Sequence, residues 1–173
     1  MVELTKLLSA NNDMRTVGDT KEVVELVLRG PYSVDDIINH IRTGDTYIRA
    51  RAMDALQKIT VKKPESVLKY KTDLLTWIAE INQQEVQWHV AQILPQFRLT
   101  DSEHKQALGI YRRYLQSPSS IVKTWALDAL VKLAQVDPSY QAEANDQLQK
   151  TLTSGSPAMQ ARAKNLMSTF KLL

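Results

Sequence analysis

The side chains best suited to catalysis or metal binding are few and widely spaced in this sequence. The three histidines, His40, His89 and His104, have no second histidine three or four positions away, the spacing that a metal site on one helix requires. The absence of cysteine excludes disulfides and thiolate metal sites. We therefore predict structural or solvated histidines, with no metal and no cofactor.

Carboxylates and glycines give no stronger indication of enzyme chemistry. The adjacent pair Asp35 and Asp36 lies in a predicted first helical turn, where acidic side chains favour the helix dipole, and neighbouring helical positions do not face one another. The five glycines form no phosphate-binding loop, no GxSxG elbow and no GxGxxG motif. The sequence predicts a non-catalytic protein.

Apolar residues return about every 37 positions, and this period predicts the elements that position any surface site. Large residues form two columns with this interval: Ile37, Leu74, Tyr111 and Leu148, then Ile41, Ile78, Leu115 and Leu152. Small residues return at nearly the same interval, at Ala52, Val90, Ala126 and Ala163. Within each unit the apolar spacing is that of amphipathic helices, and a 20–50-residue period indicates stacked repeats.

The period predicts an all-α fold of four helix pairs: 33–42 with 45–61, 64–81 with 84–98, 101–116 with 118–136, and 138–153 with 157–171. A short helix near 2–10 and another over 20–29 precede them. Helix starts are expected at Ser33 and Thr100, which begin capping boxes or acidic first turns, and at Ser117, Asp137 and Ser156, which precede prolines. Pro95 should kink or shorten the helix that contains it.

Composition bounds the remaining possibilities. Hydrophobic residues at 43% and charged residues at 24% suit a packed globular core, and a net charge of +3 without any block of like charges is only weakly basic. No apolar run approaches the roughly 18 residues that span a bilayer, and the first residues lack the long apolar region of a signal peptide. We expect a cytoplasmic protein with no membrane partner.

The second helices carry a family resemblance. The pattern Asp45-x-x-Ile48-Arg49-x-x-Ala52-x-x-Ala55-Leu56 resembles the second helix of a HEAT repeat, and Ser119-x-x-Val122-Lys123-x-x-Ala126-x-x-Ala129-Leu130 is similar. In the other two copies, Gln87 and Gln160 replace the basic residue, and Gln83 and Ser156 replace the acidic one. The resemblance covers roughly residues 32–171 and says little about chemistry, because the superfamily has many unrelated binding roles.

The resemblance implies an α-α superhelix, a HEAT-like solenoid of about four helix pairs. The repeats are expected at about 32–62, 63–99, 100–136 and 137–173 in one continuous domain. Residues 1–31 would form an irregular N-terminal helical cap, and the polar helix from Tyr140 the other cap. Both ends of the array are therefore expected within this chain.

The implied concave face supplies the candidate binding site. If Ile48, Ala52 and Ile59 face the core, positions equivalent to 50, 51, 54 and 58 point outward at 100° per residue. Tryptophan and arginine are frequent interface anchors. Trp77 is predicted to be core, Trp88 an anchor, and Trp125 either packed or binding. The candidate face comprises Arg51, Asp54, Lys58, Trp88, His89, Gln92, Trp125, Asp128, Lys132 and Arg162.

Two interpretations of this face remain open. The leading one is a protein-interaction module or scaffold that holds a protein or peptide. The alternative is nucleic-acid binding, because DNA-alkylation-repair glycosylases are built from HEAT-like repeats with tryptophans on a basic concave face; Trp88, Trp125, Arg51 and Lys132 fit that pattern. Asp128 would be the candidate acid. A helper lyase for bilin attachment has only the fold in its support. Oligomeric state is not predicted.

Overall fold

Helices supply all the regular secondary structure in the described part of the chain. The computed structural model describes residues 2–9 and 20–170. Within these ranges no strand is present, which confirms the all-α prediction. The helices are α1 (Val2–Ser9), α2 (Thr20–Arg29), α3 (Val34–Thr43), α4 (Thr46–Lys62), α5 (Lys71–Asp73), α6 (Gln84–Ile93), α7 (Asp101–Leu115), α8 (Ser120–Val136), α9 (Gln141–Ser154) and α10 (Pro157–Phe170).

Most predicted helices agree with these bounds to within a few residues. The predicted ends at residues 10 and 171, the last residues of the fourth repeat and the middle of the predicted N-terminal cap lie outside the described residues. Within the described ranges, no helix combines the length and the apolar character needed to cross a membrane.

The chain divides into two compact units, Met1–His89 and Val90–Leu173. In the first unit α4 is the central helix, and α1, α2 and α3 all pack against it. Leu4, Val23 and Ile37 are fully buried beside the apolar stripe of α4. The predicted cap helices α1 and α2 are therefore part of the same core as the first helix pair.

In the second unit α8 has the equivalent position. Helices α7, α9 and α10 pack against it, and α9 also packs against α10. Ala126, Leu130, Leu148 and Ala163 have no exposed surface. Each large apolar side chain buried in this way contributes roughly 1.5–3 kcal/mol before conformational entropy is subtracted.

The predicted apolar columns lie in these cores. The small residues at 52, 90, 126 and 163 are fully buried, and so are Ile37, Leu74, Tyr111 and Leu148 to within 1%. In the other large column, Ile41 and Ile78 are fully buried, whereas Leu115 and Leu152 are half-buried. The period therefore predicted burial correctly, with weaker burial towards the C-terminal end.

Local capping explains where several helices begin. Ser33 and Asp36 form a reciprocal capping box at α3, and Thr100 with Glu103 forms one at α7, as predicted. Asp137 caps a 3₁₀ turn that starts at Pro138, and Ser156 precedes α10, which starts at Pro157. The prediction of a cap at Ser117 was wrong: α8 starts at Ser120, because Ser117 Oγ instead accepts the Ser119 N–H at 3.2 Å within the preceding turn.

The predicted helix 64–81 is the main departure from the expected pattern. It is divided into 3₁₀ turns at Pro64–Ser66 and Leu68–Tyr70, the short α5, and a π-helical turn at Leu74–Ile78. The Thr76 hydroxyl donates to the Thr72 carbonyl at 2.7 Å, a side-chain bond that competes with regular helical bonding. The effect predicted for Pro95 is confirmed, because α6 ends at Ile93 and a 3₁₀ turn, Leu94–Gln96, follows it.

A matched pair of glycine substitutions tests this packing. A Cβ at Gly44, which follows α3, would lie 2.5 Å from both the His40 carbonyl oxygen and Ile48 Cγ2, whereas a Cβ at Gly109 inside α7 meets nothing within 4 Å. Gly44→Ala should lower the free energy of unfolding by about 1–3 kcal/mol through overpacking. Gly109→Ala should raise it by about 0.5–1 kcal/mol through helix propensity.

Denaturant unfolding of the two variants beside the original chain measures both changes. Shifts of the same sign for the two substitutions would contradict the packing described at Gly44.

Candidate binding surface

Eight of the ten residues of the predicted face lie in two charged clusters, one in each unit. The Asp54 cluster consists of Asp54 and Lys58 on α4 with Trp88 and His89 on α6. The Asp128 cluster consists of Trp125, Asp128 and Lys132 on α8 with Arg162 on α10. In both clusters a lysine follows its aspartate by one helical turn. Side chains from a later helix, two from α6 and one from α10, complete the clusters.

In the Asp54 cluster the aspartate holds neighbouring helices together. Lys58 Nζ lies 2.6 Å from Asp54 Oδ2 and 2.9 Å from Thr20 Oγ1 on α2. His89 Nε2 lies 3.7 Å from Asp54 Oδ1. The lysine charge is therefore neutralised within the chain, and three helices meet at this point.

The His89 ring has two competing neighbours at Nε2. Its Nδ1 lies 2.6 Å from the Glu85 carbonyl oxygen, so Nδ1 carries a hydrogen. In the neutral ring Nε2 then accepts the Trp88 indole N–H at 3.2 Å. A protonated ring would instead donate from Nε2 towards Asp54. His89 therefore fixes the orientation of the Trp88 side chain.

The ionised form of Asp54 is favoured in the folded chain. Burial by itself would raise the pKa of Asp54, but the neighbouring His89, Lys58 and Thr20 side chains outweigh burial and hold the pKa below its usual value. The carboxylate thus stabilises the fold in its charged form.

Of the carboxylates in the two clusters, that of Asp128 is the more deeply buried. Asp128 is 1% exposed and lies in ion pairs with Arg162 and with Lys132, whose Nζ is 2.7 Å from Asp128 Oδ2. The Arg162 guanidinium also lies over the Trp125 ring, 5.6 Å from its centroid. Trp125 is half-buried, so one part of its ring packs in the cluster and another part faces solvent.

The prediction that the whole set points outward was wrong at three positions. Arg51, His89 and Asp128 are buried, and Arg51 donates to the Leu8 carbonyl oxygen of α1 at 2.8 Å. The prediction treated each helix in isolation. In the fold, α1 and α2 cover the flanks of the central helix α4, and α10 covers a flank of α8. Gln92, Trp88 and Lys58 are half-buried and remain partly accessible.

The third tryptophan differs from its prediction as well. Trp77 is half-buried instead of fully in the core, because its indole N–H donates to Asp73 at 2.6 Å and the Arg42 guanidinium lies 4.8 Å from its ring centroid. It belongs to the π-helical turn and is not part of either cluster.

Three of the remaining chemical candidates, His40, Asp35 and Asp36, have structural partners. His40 Nε2 lies 2.9 Å from Thr5 Oγ1, and its Nδ1 lies 2.7 Å from the Asp36 carbonyl. Asp36 completes a helix cap, and Asp35 pairs with Lys69, which together with Tyr70 lowers the pKa of the Asp35 carboxyl. Across residues 2–9 and 20–170, no three histidine or acidic side chains converge as metal ligands would.

Sequence reasoning missed a groove in the second unit. It has a volume of about 520 Å³ and lies beside the 3₁₀ turn after α6, the start of α7 and the C-terminal half of α8. Its wall includes Leu94, Phe97, His104, Leu133 and Val136. The early end of α6 at Pro95 was the signal that could have indicated a gap here.

Comparisons with models of known protein families, with curated proteins and with solved structures found no match to this chain. The geometry of the described residues therefore carries the functional argument.

The lowered pKa of Asp54 predicts how the free energy of unfolding depends on pH. Because its pKa is lowered by folding, its stabilising effect is fully present above the ordinary aspartate pKa of about 4 and is lost as the pH falls through the lowered value. The difference in unfolding free energy between the original chain and Asp54→Asn should therefore shrink as the pH is lowered below about 4. Denaturant unfolding at several pH values measures it, and a constant difference would contradict the argument.

Burial of Asp128 predicts that removal of its partner Arg162 lowers the free energy of unfolding. Arg162→Ala leaves a buried carboxylate with one cation, so we expect a loss of about 2 kcal/mol in unfolding free energy. Arg112→Ala removes the partner of Glu143 from a solvent-exposed pair and should cost less than about 1 kcal/mol. Equal losses for the two arginines would show that burial of Asp128 does not matter.

Proposed function

We propose that this chain is a HEAT-like repeat protein of the α-solenoid class that acts as a non-catalytic interaction module. In this proposal its second helices, α4, α6, α8 and α10, present half-buried tryptophans and paired charges to a protein or peptide partner.

Support for stacked repeats comes from the sequence separation of the side-chain hydrogen bonds within each unit. Bonds between distant positions join residues from 31 apart, as in Arg112 with Glu143, to 43 apart, as in Arg51 with Leu8. Asp35 with Lys69 and Asp128 with Arg162 are each 34 apart. Repeats that pack on their neighbours bring together residues about one period apart, so this range favours translational stacking within each unit.

Two glycines add independent support. Gly44 and Gly155 are three periods apart, and each follows a first helix and precedes the N-cap of a second helix. Their backbone angles are nearly the same, φ −70° and ψ 159° against φ −73° and ψ 161°. Each also donates its N–H to the carbonyl four residues earlier. A turn of the same geometry three periods apart supports the proposal that the unit repeats.

The observation that favours a protein partner is the pairing of cations beside the tryptophans. Lys58, Lys132 and Arg162 are all bound to aspartates of their own clusters. A nucleic-acid backbone is bound by cations that neutralise phosphates, and cations held by carboxylates serve that purpose poorly. Protein interfaces instead combine partly exposed aromatic anchors with mixed charges.

The same pairs weigh against base excision as the alternative. Asp128, the candidate acid, is 1% exposed and is occupied by two cations. A carboxylate in this setting has no access to a substrate. We therefore retain protein binding as the proposed function.

Tryptophan substitutions test the proposal. Trp88→Ala and Trp125→Ala should each reduce recovery of partner proteins from native extract at least tenfold, because truncating an aromatic anchor commonly costs 1–2 kcal/mol or more. Trp77→Ala is the matched control and should leave recovery unchanged. Quantitative mass spectrometry of material bound to the immobilised chain gives the readout, and melting temperatures check that each variant is folded.

Two results would overturn the proposal. One is equal recovery of every protein by the original chain and by all three variants. The other is a gel shift with duplex DNA that weakens steeply as salt is raised and disappears in Trp125→Ala.

A further inference from the structure

The groove of the second unit exists because α6 is shorter than its counterparts. The second helices α4 and α8 are each 17 residues long, whereas α6 has 10 and ends before Pro95. Proline has no N–H and clashes with the preceding turn, so the chain leaves the helix through a 3₁₀ turn and an extended residue, Phe97. The C-terminal half of α8 is left without a full helix along this side, and the gap has a volume typical of ligand sites.

His104 in the wall of this groove has an unmet hydrogen bond. It is 8% exposed, and its buried Nδ1 has no partner in the described part of the chain. The other two histidines place Nδ1 within 2.7 Å of the carbonyl four residues earlier. A buried polar group without a partner costs about 1–3 kcal/mol, and the residue that carries this cost lines the groove.

The rim of the groove carries both signs of charge. Arg98 and Lys132 contribute cations, and Asp101 and Asp137 contribute carboxylates. Two cations and two carboxylates balance one another, so the rim has no strong field of either sign. Such a rim suits neither a phosphate backbone nor an anionic lipid surface.

The floor, by contrast, is apolar and partly open. Leu94 and Leu133 are buried in the wall, while Val136 on α8 is 71% exposed at the edge. An exposed valine beside buried leucines is apolar surface that a bulky side chain from outside would cover. A peptide supplies such a side chain together with backbone donors and acceptors, which would satisfy the His104 ring in either tautomer.

We infer that this groove binds a short peptide segment of a partner protein. A large apolar side chain of the peptide covers Leu94, Leu133 and Val136, and a backbone amide or carbonyl group bonds to His104. Polar residues that flank the anchor meet the mixed charges of the rim. The inference rests on the proposed interaction function and assigns it a specific site and a specific kind of ligand.

Random twelve-residue peptides displayed on phage and selected against the full chain provide the probe. Binding of the selected peptides is then measured by fluorescence anisotropy. Val136→Glu should weaken binding at least tenfold, because a charge replaces exposed apolar surface without disturbing the core. Val61→Glu is the matched control: Val61 is 58% exposed near the end of α4 and lies outside the groove, so binding should not change.

His104→Leu separates ligand binding from a structural role. If the imidazole binds the peptide, the substitution should lower peptide affinity at least tenfold. Because it removes an unpaired buried polar group, the melting temperature should stay unchanged or rise. A lowered melting temperature with unchanged affinity would make His104 structural and would overturn the inference.

The outcomes also separate this inference from the proposed function. Selected peptides that lose binding with Trp88→Ala or Trp125→Ala but bind Val136→Glu normally would preserve the interaction function and exclude the groove. Failure of the selection to yield any binding peptide would count against both.

Discussion

Close approach of helices at a column of small residues is the constraint on which both units depend. Ala52 of α4 and Ala126 of α8 have no exposed surface, and each lies in the helix against which the other helices of its unit pack. Larger side chains there would hold the helices apart and leave the leucines and isoleucines beside them incompletely buried. Apolar burial is the main stabilising contribution, so the positions of the polar side chains follow from these contacts.

Polar side chains form a second layer of contacts outside the apolar columns. Hydrogen bonds of Thr5 with His40, Arg49 with Gln83, and Asp128 with Arg162 each join residues 34 or 35 positions apart. These bonds add specificity to packing that apolar surface alone leaves less well defined. They also use the charges on the second helices internally, which is why the weakly basic composition does not translate into a basic surface at the two clusters.

Sequence reasoning was most accurate where the determining residues are local. Ser33 and Thr100 bond within their own first turns, and Pro95 acts on its own helix, so helix starts and the shortened α6 follow from a few neighbouring residues. Burial of Arg51 and Asp128 could not be obtained in this way, because their partners are Leu8 and Arg162 on other helices. The periodicity also did not indicate the π-helical turn at Leu74–Ile78. The candidate site was therefore predicted in its residue types but not in its accessibility.

The contrast between the clusters and the groove bears on where recognition takes place. In the Asp54 and Asp128 clusters nearly every charged group already has a partner, so binding there must rely on the exposed parts of Trp88 and Trp125. The groove has the opposite character, because the fold leaves apolar surface at Val136 and an unbonded nitrogen at His104. The other two histidines and the buried carboxylate all have partners on neighbouring turns or helices. The unbonded buried imidazole of His104 is therefore a position at which the chain is less stable than it could be. Proteins keep such costs mainly where function requires them, and α6 ends early at a proline beside this histidine, which is why the proposed peptide site is placed in the groove.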